Sequence, residues 1–237
     1  ALSIKLPGIG VYVAVLIAAR PRTQPVLAHL CYVLLMRANS GSGEQERSFT
    51  ERGRRAQIVE AAIDTIVELG YSRASFGQIA KRAGLSSTGM ISYHFKNKAE
   101  LMQQVVTDVY AVAEELVGER IEAAGTARDQ LRAFIESSVD FYRVHHRKIR
   151  ALTEIFLNER GDDAALPHRR ELEGMRELLR AGQRAGEFRD FDPHVMAVAL
   201  RHALDGVALR LGVEPDADAD LYARELATMF DLATRAG

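Results

Sequence analysis

The chain has 237 residues, 47% of them hydrophobic and 27% charged, with a net charge of −1. That is enough apolar side chain for a buried core, so the chain reads as globular. Cys31 is the only cysteine; this excludes an intramolecular disulfide and a cysteine-built zinc site, and it fits a reducing compartment.

The near-zero net charge hides an asymmetry. Residues 47–98 carry nine Lys/Arg against four Asp/Glu, a balance of +5, whereas residues 99–237 stand at −8. A small basic segment ahead of a larger acidic one points to a polyanion as the partner of the first segment alone.

The first 46 residues stand apart. "GIGVYVAVLIAA" and "VLAHLCYVLLM" are apolar runs of twelve and eleven residues broken by "RPRTQP". Each falls short of the roughly 20 residues that a helix needs to span a bilayer. Lys5 ahead of a run ending at Ala18-Ala19 has the order of a signal peptide, but nothing downstream reads as secreted. Met36 opens a polar leader, "MRANSGSGEQERSF". Residues 1–35 are therefore read as upstream or appended sequence, and residues 1–46 as an extension with no assigned function. The competing reading is a helical membrane-associated interaction protein that uses this apolar segment.

From about Thr50 onward the hydrophobic spacing is helical almost throughout, with no alternating strand pattern, internal repeat or glycine-rich phosphate loop. "ERGRRAQIVEAAIDTIVELG" places Ile58, Ala61, Ala62, Ile66 and Leu69 on one face and ends at Gly70. A short helix follows, capped by Ser75 and stopped by Gly84, and a second, "SSTGMISYHF", is capped by Ser86 or Ser87. Asn97 caps a long helix with Leu101, Val105, Val109, Val112 and Leu116 on one face. Further helices are expected at about 126–146, 147–158, 167–185, 193–211 and 218–235, separated by Gly, Asp and Pro. The fold class is all-α: an N-terminal three-helix domain at 47–98, followed by a helical domain at 99–237.

The spacing over 75–95 is that of a helix-turn-helix. Ile79 and Ala80 face Met90, Ile91 and Phe95, Leu85 fills the turn, and Ser87, Thr88, Gly89, Ser92, Tyr93 and His94 are left at the surface. The second helix of such a unit lies in the major groove with its N-terminal residues toward base edges. Short hydroxyl donors, a glycine that permits close approach and a Met90 methylene for a thymine methyl suit that position. Ser75, Tyr93, His94 and Lys98 are the expected phosphate contacts, with Arg52, Arg54 and Arg55 adjacent at the start of the first helix.

The segment 54–101 resembles the N-terminal domain of the TetR family of transcriptional regulators. The resemblance rests on Gly70-Tyr71, on "IAKRAG" and on "YHFKNKAEL" leading into the fourth helix. It implies that Ser75, Ser87, Tyr93, His94 and Lys98 contact the DNA backbone, while Thr88, Gly89 and Met90 lie nearest the bases. The family's common turn, Ala-Gly-Val-Ser-x-Gly, is one residue longer here, "AGLSSTG", which leaves Ser86 and Ser87 interchangeable. Ser92 stands where the family often has Tyr. The resemblance further implies a repressor, released from its double-stranded DNA operator by a small molecule bound in the second domain.

That second domain is expected to dimerise through its last two helices. Val195, Ala199, Ala203, Val207 and Leu211 form one ridge, and Leu221, Leu226, Phe230 and Ala233 fall near one face of the next helix. A pocket for a largely apolar effector is expected among Val109, Phe134, Phe141, Tyr142, Leu152, Ile155, Phe156, Met175, Leu178 and His202. His145-His146, His168 and His194 have no convincing i, i+4 ligand partner, so no metal or other cofactor is expected. Ser86, Ser87 and His94 lack the "GxSxG" elbow and sheet of a hydrolase, so no enzyme is expected either. A cytoplasmic location with no membrane partner completes the reading.

Overall fold

The computed structural model describes residues 49–158, 166–214 and 216–237; the N-terminal extension and its apolar runs lie outside them. Among the described residues the helices are α1 (Phe49–Leu69), α2 (Phe76–Arg82), α3 (Gly89–His94), α4 (Lys98–Glu122), α5 (Ala127–Val144), α6 (His146–Asn158), α7 (Leu166–Arg184), α8 (Pro193–Val213) and α9 (Ala219–Thr234), with a 3-10 turn at Tyr71–Arg73. The sole bridge of extended backbone among them joins Phe188 to Arg235. The architecture is all-α, and no described helix is long and apolar enough to cross a membrane.

Helix starts follow side-chain capping chemistry. Ser75, Asn97, Thr126, Asp192 and Asp218 each accept from a backbone N–H two or three residues on, satisfying donors that a helix start leaves open. These caps place the expected boundaries within about two residues.

On α4 the buried residues are Leu101, Met102, Val105, Val106, Val109 and Val117, while Leu116 is 44% exposed and Val112 half-buried. On α8 the expected ridge leaves its face for a geometric reason: a step of four residues turns a helix by about 40° more than a full circle, so a chain of i+4 steps winds round. The ridge from Val195 to Leu211 starts in solvent and ends inside: Val195 is exposed, Ala203 half-buried, and Val207 and Leu211 are core residues. The outward apolar face of α8 is instead Val195, Ala199, His202, Gly206, Leu209 and Val213, whose alternating steps of four and three stay on one side. On α9, Phe230 is buried, Leu226 is half-buried against the core and Ala233 is half-buried, leaving Leu221, Met229 and Leu232 outward.

α1 buries more than one stripe because α2, α4 and α6 all pack on it. Ile58, Val59, Ala61, Ala62, Ile63, Ile66 and Val67 are all core. Its first turns carry Arg55, expected to point to DNA but turned inward. Nη1 donates to the carbonyl of His94 at 2.8 Å and Nη2 to Oε1 of Gln104 at 2.6 Å, while the guanidinium lies 4.2 Å from the centre of the Phe95 ring. One side chain thus joins α1 to the end of α3 and the second turn of α4. Gln57 adds a second tie, donating to the carbonyl of Ala83 at 2.7 Å.

Replacing Arg55 with Met should lower unfolding stability by about 1.5–3 kcal/mol, the scale of hydrogen bonds made by a charged group. Arg55→Lys should recover only part of this, because an ammonium lacks the planar fork that reaches two acceptors. Urea titration of the three proteins checks the order.

Candidate nucleic-acid interface

The turn between α2 and α3 is built by backbone hydrogen bonds. Leu85 N–H donates to the carbonyl of Ala80 at 2.9 Å and Gly84 N–H to that of Lys81 at 3.3 Å, with Gly84 at φ +65°. This is the Schellman closure of a helix end, and its left-handed residue favours glycine. Ile79, Ala80, Ile91 and Phe95 then close the small core, with Leu85 half-buried against it.

Neither Ser86 nor Ser87 caps α3. The helix begins at Gly89, and Thr88 occupies the cap position in helical conformation, with no side-chain cap hydrogen bond. A hydroxyl accepts from the following turn when its residue is extended; Thr88 at φ −67°, ψ −19° is not. Its carbonyl instead accepts from the N–H groups of Ile91 and Ser92, each at 3.0 Å. The extra residue of the turn is thereby accommodated in the non-helical stretch before Thr88, and Ser86, Ser87, Thr88 and Gly89 are all exposed.

The other expected contacts fall into two groups. Ser75, Ser92 and Tyr93 are exposed, Tyr93 at 75%, and Met90, His94, Arg54 and Lys98 are half-buried. The Tyr93 hydroxyl donates to Oε1 of Glu51 at 3.1 Å, and its ring meets that of His94 edge-on at 5.0 Å. Arg54 donates to Gln57 at 2.8 Å. Lys98 is held against the 3-10 turn, donating to the carbonyl of Tyr71 at 2.5 Å and lying 3.9 Å from its ring centre. Exposed Lys96 adjoins this surface although sequence reasoning passed over it; the run "FKNK" contained it, but only Lys98 matched the expected pattern.

Two family models match in succession: that of bacterial regulatory proteins of the tetR family over residues 58–105, and that of the tetracyclin repressor-like C-terminal domain over 124–209. Together they cover more than half of the chain. The chain belongs to the TetR family. A relative, the HTH-type transcriptional regulator BetI of Cronobacter sakazakii, is 29% identical over 75% of this chain and 88% of its own length. BetI of Escherichia coli is 33% identical over 41% of this chain, which spans 51% of that relative. Two solved structures share the fold. One is a transcriptional regulator from Saccharomonospora viridis in complex with choline (TM-score 0.68, 19% identity, 78% of this chain and 100% of that one). The other is AibR in complex with isovaleryl coenzyme A and operator DNA (TM-score 0.63, 20% identity, 74% and 97%). As a TetR-family member the chain is a DNA-binding transcriptional regulator.

The TetR-type second part packs its expected pocket residues inside. Val109, Phe134, Phe141, Tyr142, Leu152, Ile155 and Met175 are buried and Leu178 half-buried. Phe156 and His202 are corrections: both are exposed, and the His202 ring nitrogen Nδ1 sits 2.8 Å from the carbonyl of Val198 on its own helix. On α8 His202 falls on the outward strip with Ala199 and Gly206.

Polar groups that sequence reasoning missed lie within this interior. Arg201, with 7% of its side chain exposed, donates to Glu171 at 2.6 Å and to the Tyr142 hydroxyl at 2.7 Å, and it pairs at 2.9 Å with Asp205, whose carboxylate is more than half exposed. Burial opposes its charge, yet Tyr142, Glu171 and Asp205 hold it above its ordinary range. Burial pushes the Tyr142 phenol up to about 12 and raises Tyr110 as well, with Glu171 adding to both. Oε2 of Glu171 and Nε of Arg201 are buried without a hydrogen-bond partner. Only the i, i+4 pair Arg201 and Asp205 was visible as a signal, and such pairs are common on solvated faces.

Gly84→Ala should destabilise the chain by about 1–2 kcal/mol, the cost of a Cβ in the left-handed region, whereas Gly84→Asn should cost less because Asn tolerates it. Thermal unfolding measures both, and equal losses would show that φ is not the cause.

Proposed function

We propose that this TetR-family regulator acts as a homodimeric repressor: α3 of each subunit enters the major groove of an operator, and a small molecule held among α4–α8 releases it. Residues 47–98 form the DNA-binding part and 99–237 the effector and dimerisation part, acting in the cytoplasm without a catalytic step. The carrying observation is a six-residue helix sealed on one side by Ile91 and Phe95 while Thr88, Gly89, Ser92 and Tyr93 stay in solvent. On this reading Thr88, Gly89 and Met90, with Ser86 or Ser87, face the bases. Ser75, Ser92, Tyr93, His94, Lys98 and Arg54 face phosphates. The effector has a largely apolar body because most of the residues that would surround it are apolar.

The dimer reading is supported by the outward strip of α8. It combines Val195, Leu209 and Val213, exposed by 64%, 57% and 71%, with the small residues Ala199 and Gly206. Small residues let a second helix approach closely, and Leu221, Met229 and Leu232 widen the apolar surface on α9. A second copy placed against this face would give the two-fold symmetry that paired half-sites require.

Selection from random DNA should yield a two-fold operator. Against it, Thr88→Ala should cost about 1 kcal/mol or more, roughly five-fold in Kd, and relax preference at one position in each half-site. Tyr93→Ala should weaken binding to all sequences alike; unchanged affinity in both variants would sink the interface assignment. Leu209→Glu should convert a dimer to a monomer in sedimentation and weaken operator binding with it, and a persistent dimer would remove the α8 face from the account.

A further inference from the structure

We propose that Glu51 competes with the DNA backbone for the single proton of the Tyr93 hydroxyl, and thereby limits how tightly the regulator holds DNA. This rests on the reading that Tyr93 of α3 faces a phosphate, and it adds the residue that governs that contact.

A tyrosine hydroxyl has one proton to donate, while a carboxylate and a phosphate oxygen are both acceptors. Here that proton goes to Oε1 of Glu51 at 3.1 Å. Tyr93 cannot donate to a phosphate while it donates to Glu51, so seating on DNA exchanges one acceptor for the other. Binding then gains only the difference between two hydrogen bonds to charged groups, not a whole one.

The placement of Tyr93 suits such an exchange. The residue is 75% exposed, yet its ring and its hydroxyl are both held: the ring meets that of His94 edge-on at 5.0 Å, and the hydroxyl meets Glu51 from the first turn of α1. The ring is set before DNA arrives, and only the proton has to change partner.

The placement of charge singles out Glu51. Residues 47–98 contain four carboxylates. Glu60 pairs with Lys148, Asp64 with Arg147 and Glu68 with Arg82, which directs three of them to α6 and α2. Among the described residues, only Glu51 of the four bonds a side chain of α3. Negative charge in a first helical turn is also favoured by the helix dipole, so Glu51 has a structural use besides. The two roles differ in sign: loss of a purely structural carboxylate weakens DNA binding or leaves it unchanged, whereas loss of a competitor strengthens it.

The test uses the full chain and an operator selected from random DNA. Glu51→Ala should tighten operator binding about two- to ten-fold per half-site, the span of one net hydrogen bond. Random DNA should tighten as well, because a phosphate contact carries no sequence. Glu51→Gln removes the same charge but keeps an acceptor for Tyr93, so it should gain less. On a Tyr93→Phe background the Ala and Gln variants should bind alike, since no proton is left to compete for. If Glu51→Ala lowers the Tm, the isosteric Glu51→Gln decides, and its gain should shrink when Tyr93→Phe is added. Equal gains from Ala and Gln with Tyr93 intact would reduce Glu51 to charge repulsion and overturn the exchange. So would no gain from either variant, or a gain that Tyr93→Phe leaves untouched. Failure of the underlying reading looks different: the wild type would select no operator, or Tyr93→Ala would bind as tightly as the wild type, whatever stands at position 51.

Discussion

The orientation of α3 depends on the Arg55 guanidinium. A helix of six residues is far below the length that holds itself together in water, and α3 gains nothing from a side-chain cap at Thr88. What fixes it is burial of Ile91 and Phe95 and the charged hydrogen bond from Arg55 to the carbonyl of His94. That carbonyl is one of those a helix end leaves without an internal partner. Because the same guanidinium also bonds Gln104 and covers the Phe95 ring, the position of α3 is referred to α1 and α4 together. A cation drawn to the protein's interior carbonyls is one less cation for phosphate, so the basic balance of this segment overstates what it shows to DNA. Arg82 makes the same point, being paired with Glu68.

Where the sequence was legible, a local rule acted alone. Ser75 and Asn97 cap because extended residues before a helix have few other uses for a short polar side chain, and Gly84 takes the left-handed position because it has no Cβ to oppose it. Where legibility failed, two rules competed. Ser86 and Ser87 were good cap candidates, but the longer turn places Thr88 at the cap position. Val207 was misplaced because i+4 neighbours touch along a ridge while the buried face follows 3.6 residues per turn. Over one step the difference is small; over the three from Val195 it carried Val207 into the core.

The interior cluster marks a different limit. Periodicity sorts residues by polarity, so Arg201 and Glu171 read as surface positions on helices that alternate charge with small apolar residues. Their burial depends on α7 and α8 both packing on α5, a long-range fact that no local window contains. The wrong assignment of His202 has the same root: on α8 the interior is reached from Arg201 and Leu204, and His202 lies between them, facing out.

On the proposed reading, one helix carries the connection between the two parts. α4 presents Lys98 to the Tyr71 turn, Gln104 to Arg55 and half-buried Tyr110 to the core. Gln104 and Tyr110 are six residues apart, about 9 Å along the axis. Gln104 also donates to Asp108 at 2.6 Å, and burial raises the pKa of that carboxyl although Gln104 and Arg55 both favour its charge. Polar contacts therefore run from Arg55 through Gln104 to Asp108 along one side of α4. An apolar helix face can slide by trading one contact for a similar one. A guanidinium held between the His94 carbonyl and Gln104 cannot, so a shift of α4 at Tyr110 must either carry α3 with it or break a charged hydrogen bond. Either outcome changes the geometry offered to DNA, which is why the coupling does not need a large displacement at the ligand.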